Sequence, residues 1–173
     1  MVGRRLACAV APIVVAVTLS GASAGAQTPA EVMFTGPAQS SISSNVAVPA
    51  NRAYLWTSGT VPPVLDATVP PGSREKYGDT KTQGEGILRT IEAQLKPRGL
   101  TLKDVVYLRV YIAPDKAKNG QYDFPGWFAA YAEFFGNATN ATKVARSTVG
   151  VGRLVDPDWL IEIEAVAVFP PSP

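Results

Sequence analysis

Hydrophobic residues recur along this chain with two alternating periods, one helical and one typical of strands. A first helix is predicted from four apolar residues at helical spacing: Ile87, Leu88, Ile91 and Leu95. Thr82-Gln-Gly-Glu85 has the spacing of a capping box and would begin this helix, which Pro97 and Gly99 would end. A second helix is predicted over 124–135 from a set of aromatic residues at helical spacing: Phe124, Trp127, Tyr131 and Phe134 or Phe135.

Residues 105–113 instead alternate with the period of two that is typical of a half-buried strand. One face is expected to lie in the core, formed by Val106, Leu108, Val110 and Ile112. The other face is semi-polar and carries Tyr107, Arg109 and Tyr111. We expect this second face to need water or a partner, because strands of this kind leave more apolar surface than a monomer usually exposes.

Further strands are predicted at 52–60, 146–154 and 160–169, with a short strand at 43–48. Loops rich in proline, glycine and charge occupy 62–78 and 113–123. The order β(β)αβαββ predicts an α+β fold, an α/β layer in which both helices cover one face of a mixed sheet.

The N-terminus has the pattern of a secretory signal peptide over residues 1–26. Arg4 and Arg5 precede an apolar run that is shorter than the roughly 20 residues of a membrane span, and Ala24-Gly-Ala26 offers a cleavage site. We therefore expect an exported protein, periplasmic or secreted, with one domain at 27–173 and no membrane association after cleavage. The single cysteine, Cys8, lies in this leader.

Composition removes several classes of function. The leader holds two of the 16 basic residues and no acidic residue, so 14 basic residues remain against 14 acidic ones, and no basic stripe predicts nucleic-acid binding. The chain contains no histidine, which excludes Ser-His and Cys-His catalysis and most transition-metal sites. We expect no metal and no cofactor, and chemistry carried by carboxylate, arginine, hydroxyl and backbone groups.

Five segments in order resemble the Rid (reactive intermediate deaminase) family, also called YjgF-type or endoribonuclease L-PSP. They are Thr57-Ser-Gly59, Gly99-Leu-Thr-Leu-Lys-Asp-Val-Val106, Tyr131-Ala-Glu-Phe-Phe135, Ala145-Arg-Ser-Thr-Val149 and Ile161-Glu-Ile-Glu-Ala-Val-Ala-Val168. The resemblance covers about 36–169. It implies a chorismate-mutase-like fold and a homotrimer with clefts between subunits. It also implies cofactor-free hydrolysis of a small enamine or 2-imino acid to the 2-oxo acid and ammonia.

The resemblance assigns roles to particular residues. Arg146 matches the arginine that grips the substrate carboxylate, for which a planar fork of donors is well suited. Glu162 matches the carboxylate that orients the attacking water; pattern alone does not separate it from Glu164, which shares its strand face. Ser58 and Gly59 match a pair that lines the cleft.

Three positions depart from the family pattern. Thr148 stands where many members have cysteine, Phe128 where asparagine is common, and Ala38 where an aromatic residue often follows Gly-Pro. Thr148 keeps the cleft lining polar, and Phe128 makes it more apolar. Together with the longer loops, the changes at 38 and 128 predict a different or larger substrate, or lost deaminase activity.

Two other functions are compatible with the sequence. A non-catalytic, small-ligand-binding or chaperone-like trimer would keep the fold and Arg146 without turnover, and Phe128 and the export signal favour it. An endoribonuclease ranks lower, because the chain has neither histidine nor a basic stripe.

Overall fold

A computed structural model describes residues 28–171, and the predicted signal peptide at 1–26 lies outside them. Four strands form the main sheet, in the spatial order β3 (Tyr54–Trp56), β8 (Ile161–Val168), β4 (Val105–Ile112) and β7 (Ala145–Gly150). Strands β4 and β7 run parallel, whereas β8 is antiparallel to both β3 and β4. The predicted mixed sheet is therefore confirmed, although β3 and β7 are shorter than the segments 52–60 and 146–154.

Two helices, α1 (Thr80–Leu95) and α2 (Phe124–Phe134), pack on each other and on one face of this sheet. The core between the layers joins fully buried residues of both helices to alternate residues of β4 and β8. Among them are Ile87, Leu88, Ile91, Trp127, Tyr131, Leu108, Val110 and Ile163. The α+β fold class and its two-layer arrangement agree with the sequence prediction.

The predicted start of α1 is wrong. Asp79 is the N-cap, and its carboxylate accepts from the backbone N–H of Thr82 at 2.8 Å, so Thr82 lies inside the first turn. A capping box does occur later, at Thr101 and Asp104, just before β4. Asp79 and Thr101 are each a short side chain whose oxygen accepts from an N–H group that would otherwise be free at a helix start.

A register irregularity near the start of β4 also corrects the predicted core. The irregularity falls between Val105 and Tyr107, where β4 pairs with β8. Val105 joins the main core, whereas Val106 packs with Val166 and Val168 in a second apolar cluster. A bulge of this kind shifts the alternation of buried and exposed side chains by one residue. The regular alternation of Leu108, Val110 and Ile112 does not indicate this shift, because it begins after the bulge.

Smaller elements complete the fold. A hairpin of β1 (Met33–Thr35) and β2 (Asn45–Ala47) includes one strand, β1, that the sequence did not indicate. Within the second predicted loop, β5 (Pro114–Asp115) pairs with β6 (Gln121–Tyr122). The two long loops are joined by Arg74, whose Nη1 contacts both oxygens of buried Asp115 at 2.7 and 2.9 Å. Across residues 28–171, no helix is long and apolar enough to cross a membrane.

Candidate functional site

Arg146 lies on β7 with its side chain directed toward α2. It pairs in register with Leu108, a core residue, so the two side chains share the helix-covered face of the sheet. Its guanidinium carbon lies 5.4, 4.9 and 4.4 Å from the ring centroids of Trp127, Phe128 and Tyr131. These distances are typical of cation–π contacts. The cation is therefore held by aromatic faces.

No ion pair within residues 28–171 neutralises the charge of Arg146. Its Nη1 atom is buried and has no hydrogen-bond partner among residues 28–171. Burial lowers the pKa of Arg146, and the neighbouring Tyr131 opposes this effect. A partly desolvated arginine without a carboxylate is costly to fold, and this cost is offset when an anion binds.

Thr148 lies two residues further along the same face of β7. Its Oγ1 accepts a hydrogen bond from the indole Nε1 of buried Trp127 at 3.3 Å. Because the Trp127 ring contacts the guanidinium of Arg146, the bond from Thr148 helps to position the arginine. The predicted residues Arg146, Thr148 and Phe128 therefore lie together.

Glu162 lies on the opposite face of the sheet. It pairs with Tyr111, whose side chain points away from the helices, and its carboxyl group lies against Gly59. Burial raises the pKa of Glu162, and the neighbouring carboxylate of Glu164 raises it further. A carboxyl group with a raised pKa holds a proton more readily than an ordinary glutamate, which suits it to accept a proton and return it.

The structure distinguishes Glu162 from Glu164, which the strand pattern alone could not. Glu164 is bound by Arg109 at 2.7 Å and accepts a hydrogen bond from the hydroxyl of Tyr111 at 3.3 Å. Glu162 forms no ion pair with any residue in the described part of the chain. Glu162 is thus the carboxylate that stays available for a ligand.

Ser58 and Gly59 lie in an irregular step between β3 and β8. Backbone bonds join Thr57 to Ala165 at 3.0 Å and Thr60 to Ile163 at 2.8 Å. Two residues of one strand thus stand opposite one residue of the other, as in a β-bulge. The bulge exposes Ser58 and Gly59 beside Glu162, and the absence of a side chain at Gly59 leaves room for the carboxyl group.

These residues form two half-sites rather than one. The first half-site is Arg146, Thr148 and Phe128 on the helix-covered face; the second is Glu162, Ser58 and Gly59 on the open face. Strands β7 and β8 flank β4, so their axes are roughly 10 Å apart. Because the side chains also point to opposite faces, a small molecule cannot contact both half-sites of one chain.

The sequence did not identify Trp127 and Tyr131 as parts of the site, because both fit the buried face of a helix. Their i,i+4 spacing beside Phe128 was the available signal, since it places three rings around one point of the helix. Ala38 lies elsewhere, at a surface cavity of about 240 Å³ that Phe34 and Ile42 also line. No group of acidic, histidine or cysteine side chains within residues 28–171 could hold a metal ion.

The fold and these half-sites define a class: a small α+β protein with an arginine at a sheet edge and a protonatable glutamate on the open face. A family model described as Endoribonuclease L-PSP matches residues 38–169. The chain belongs to this family, to which the Rid and YjgF proteins also belong.

Similar proteins cover most of the chain. A RutC family protein of Pyrococcus horikoshii is 37% identical over 79% of this chain and 96% of its own length. The 3-aminoacrylate deaminase RutC of Acinetobacter baylyi is 36% identical over 69% of this chain and 84% of its own. A solved structure of the conserved Rid protein family, from Yersinia pestis, has a TM-score of 0.60 and 25% identity, covering 80% of this chain and 99% of its own.

Proposed function

We propose that this protein is a homotrimeric deaminase that hydrolyses a small 2-imino or enamine acid in clefts between subunits. The observation that carries the proposal is the pair of half-sites on opposite faces of the sheet, each with an uncompensated group. Arg146 would grip the substrate carboxylate, and Glu162 of a neighbouring copy would orient water. The similarity to a protein named 3-aminoacrylate deaminase supports the reaction type.

The proposed chemistry needs no cofactor. The 2-imino acid reacts in its protonated form: Glu162 as a carboxylate accepts a proton from water while the oxygen attacks the carbon of the C=N bond, which gives a neutral carbinolamine. The protonated Glu162 then gives its proton to nitrogen as the C–N bond breaks, and the hydroxyl proton of the carbinolamine passes to solvent as the C=O bond forms. The products are the 2-oxo acid and ammonia. The arginine fixes the carboxylate so that the imine carbon lies near the water.

The open face of the sheet supports the assembly. Trp56 is 69% exposed and Tyr54 is 46% exposed, and both lie beside the second apolar cluster around Val166 and Val168. Large aromatic residues next to an apolar cluster are typical of a subunit interface. Packing of this face against another copy would bring Glu162 toward the partner's half-site.

The test is ammonia release from imino acids that an amino-acid oxidase generates in situ. We expect the wild type to accelerate release, and Arg146→Ala and Glu162→Gln each to lose the acceleration. Arg153→Ala and Glu31→Gln, which change exposed residues outside both half-sites, serve as matched controls. A wild type that accelerates release from neither small nor bulky imines would overturn the proposal.

Mixing the two inactive variants tests the inter-subunit site directly. Each site of a ring-like trimer would take its arginine from one chain and its glutamate from the next. After unfolding and refolding of an equal mixture, about a quarter of the sites would have both groups intact. Recovered activity near that fraction supports the shared site, and continued inactivity in trimers of normal size contradicts it.

A second function has one specific observation in its favour. Phe128 is 45% exposed directly beside Arg146, which makes an apolar binding surface that hydrolysis itself does not require. A non-catalytic binder would hold carboxylates through Arg146 without releasing ammonia. Calorimetric titration with stable 2-oxo acids separates the two functions, because binding that needs Arg146 would then occur without turnover.

We also propose that the protein is exported and that residues 1–26 are removed. This proposal rests on Arg4, Arg5 and the short apolar run alone. The N-terminal sequence of the protein recovered from a bacterial periplasm tests it. A mature chain that begins near Gln27 is expected, and an intact leader on the cytoplasmic protein would refute it.

A further inference from the structure

Three aromatic side chains form a continuous shelf next to Arg146. The ring centroids of Phe124 and Phe128 are 6.5 Å apart with planes at 27°, and those of Tyr122 and Phe124 are 5.8 Å apart at 34°. Phe128 and Tyr122, the two ends of the shelf, are 45% and 39% exposed. We define these three residues as the aromatic shelf.

The shelf runs alongside β7. At one end Phe128 lies 4.9 Å from the guanidinium of Arg146. At the other end the ring of Tyr122 lies 3.0 Å from the position that a Cβ on Gly150 would occupy. Arg146 and Gly150 are four residues apart on the same face of the strand, which corresponds to roughly 13 Å. The shelf and this strand edge thus form an apolar track that begins at a cation.

Local structure fixes the shelf in place. The N-cap Asp123 accepts from the backbone N–H of Gly126 at 3.1 Å, and a proline at the first turn of α2 sets the direction of the helix. Tyr122 is held by the short pairing of β6 with β5. The rings are therefore preorganised, and a ligand that covers them loses little ordering entropy in the protein.

We propose that the aromatic shelf is the side-chain subsite of the proposed deaminase and that it selects 2-imino acids with an aryl side chain. This inference rests on the proposed function for the reaction, but not for the binding. An acid whose carboxylate binds Arg146 would direct its side chain along β7, onto Phe128 and then Phe124. Aromatic rings prefer such offset contacts with one another.

The charges of the track favour this occupant over an acidic one. A second carboxylate on the ligand would lie over ring faces, which carry the negative part of the aromatic quadrupole. A methyl side chain would reach only the edge of Phe128 and leave the rest of the shelf exposed. The expected order of preference is therefore aryl over methyl, and methyl over carboxymethyl.

The test compares three imines made in situ from phenylalanine, alanine and aspartate. For Phe128→Asn we expect kcat/KM to fall with both imines, because the ring also contacts Arg146. The fall should be about tenfold larger with the aryl imine than with the methyl imine, which corresponds to about 1.4 kcal/mol. Tyr122→Ser should give a smaller loss in the same direction. Phe34→Asn, the same change at a residue that is 37% exposed on β1, is the matched control and should alter neither value.

A binding measurement separates failure of the subsite from failure of the deaminase. Calorimetry with 3-phenylpropionate and propionate needs no turnover. We expect the wild type to bind 3-phenylpropionate more tightly than propionate, and we expect Phe128→Asn to abolish this preference. This binding without ammonia release from any imine would sustain the subsite and refute the deaminase. Equal turnover of the aryl and methyl imines, in a ratio that Phe128→Asn leaves unchanged, would refute the subsite alone.

Two further results would also overturn the proposal. One is absence of both turnover and aryl-acid binding in the wild type. The other is a change in oligomeric state for Phe128→Asn and Tyr122→Ser with unchanged substrate preference, because the shelf would then be covered by a second copy of the chain. Light scattering on each variant provides that measurement.

Discussion

The variant Gly59→Ala should displace the carboxyl group of Glu162 with little effect on the stability of the fold. A Cβ built on Gly59 would lie 2.8 Å from Cδ of Glu162 and closer still to its Oε1. Carbon atoms in contact are usually 3.5–4.0 Å apart, so the carboxyl group must move by about 1 Å. A displacement of about 1 Å in an active site can lower the rate by roughly 100-fold.

The cost to folding should be small, because the group that moves is the end of a flexible side chain at a solvent-exposed bulge. For Gly59→Ala we therefore expect kcat with a preferred imine to fall by about two orders of magnitude. The urea midpoint should change little. Gly152→Ala is the matched control, because nothing lies within 4 Å of its added Cβ.

A double-mutant cycle identifies the cause. If Gly59→Ala acts through Glu162, it should add almost no loss in a Glu162→Gln background, since the proton-accepting carboxylate is already absent there. Full additivity would assign the effect to the Gly59 backbone instead. Wild-type kcat in Gly59→Ala, with the protein folded and assembled, would refute the argument that the carboxyl group acts from its place beside Gly59.

Three more expectations concern the charge of Glu162 and the hydrogen bond between Trp127 and Thr148. Because burial and then Glu164 raise the pKa of Glu162, activity should fall as pH decreases through this raised pKa. A pH profile of Glu164→Gln should show the fall at lower pH. The raised pKa also means that folding favours the protonated form of Glu162. Its stabilising contribution is therefore present at low pH and is lost as pH rises through the folded-state pKa. Glu162→Gln should unfold at a higher urea concentration than the wild type at pH 7, and a lower urea midpoint would contradict this sign. Thr148→Val leaves the buried Trp127 N–H without its acceptor and should cost about 1–3 kcal/mol in urea unfolding, whereas an unchanged midpoint would show that the bond contributes nothing.

Periodicity predicted the fold well where the hydrophobic pattern was regular. The core face of α1 and most of β4 and β8 are as expected, because a buried face imposes its period on the sequence. The start of α1 was missed because Thr82 and Asp79 are both acceptable caps, and only the chain path selects Asp79. The register shift before Tyr107 depends on pairing with β8, which no local pattern records.

The sequence offered residues for the candidate site but not its geometry. Motif resemblance indicated Arg146 and Glu162, whose roles stay predictions; the structure shows that aromatic rings surround Arg146 and that burial raises the pKa of Glu162. Their placement on opposite faces depends on strand order and registration across β4, which are tertiary features. The aromatic contacts of Arg146 were not predicted for a related reason. Trp127 and Tyr131 also pack in the core, and a helical pattern cannot distinguish a core residue from one that also contacts the arginine.

The electrostatics of the two half-sites are complementary to the ligand class proposed above. Arg146 has a pKa lowered by burial and Glu162 has a pKa raised by burial, so each is held in a setting that disfavours its own charge. The two groups cannot neutralise each other within one chain, because the sheet separates them. A protonated 2-imino acid carries the complementary charges, a carboxylate for Arg146 and a cationic nitrogen for Glu162. In the proposed shared site, its binding between two copies would relieve both penalties at once, so the charge pattern of the ligand would govern binding to the two half-sites and the aromatic shelf would govern the choice of side chain.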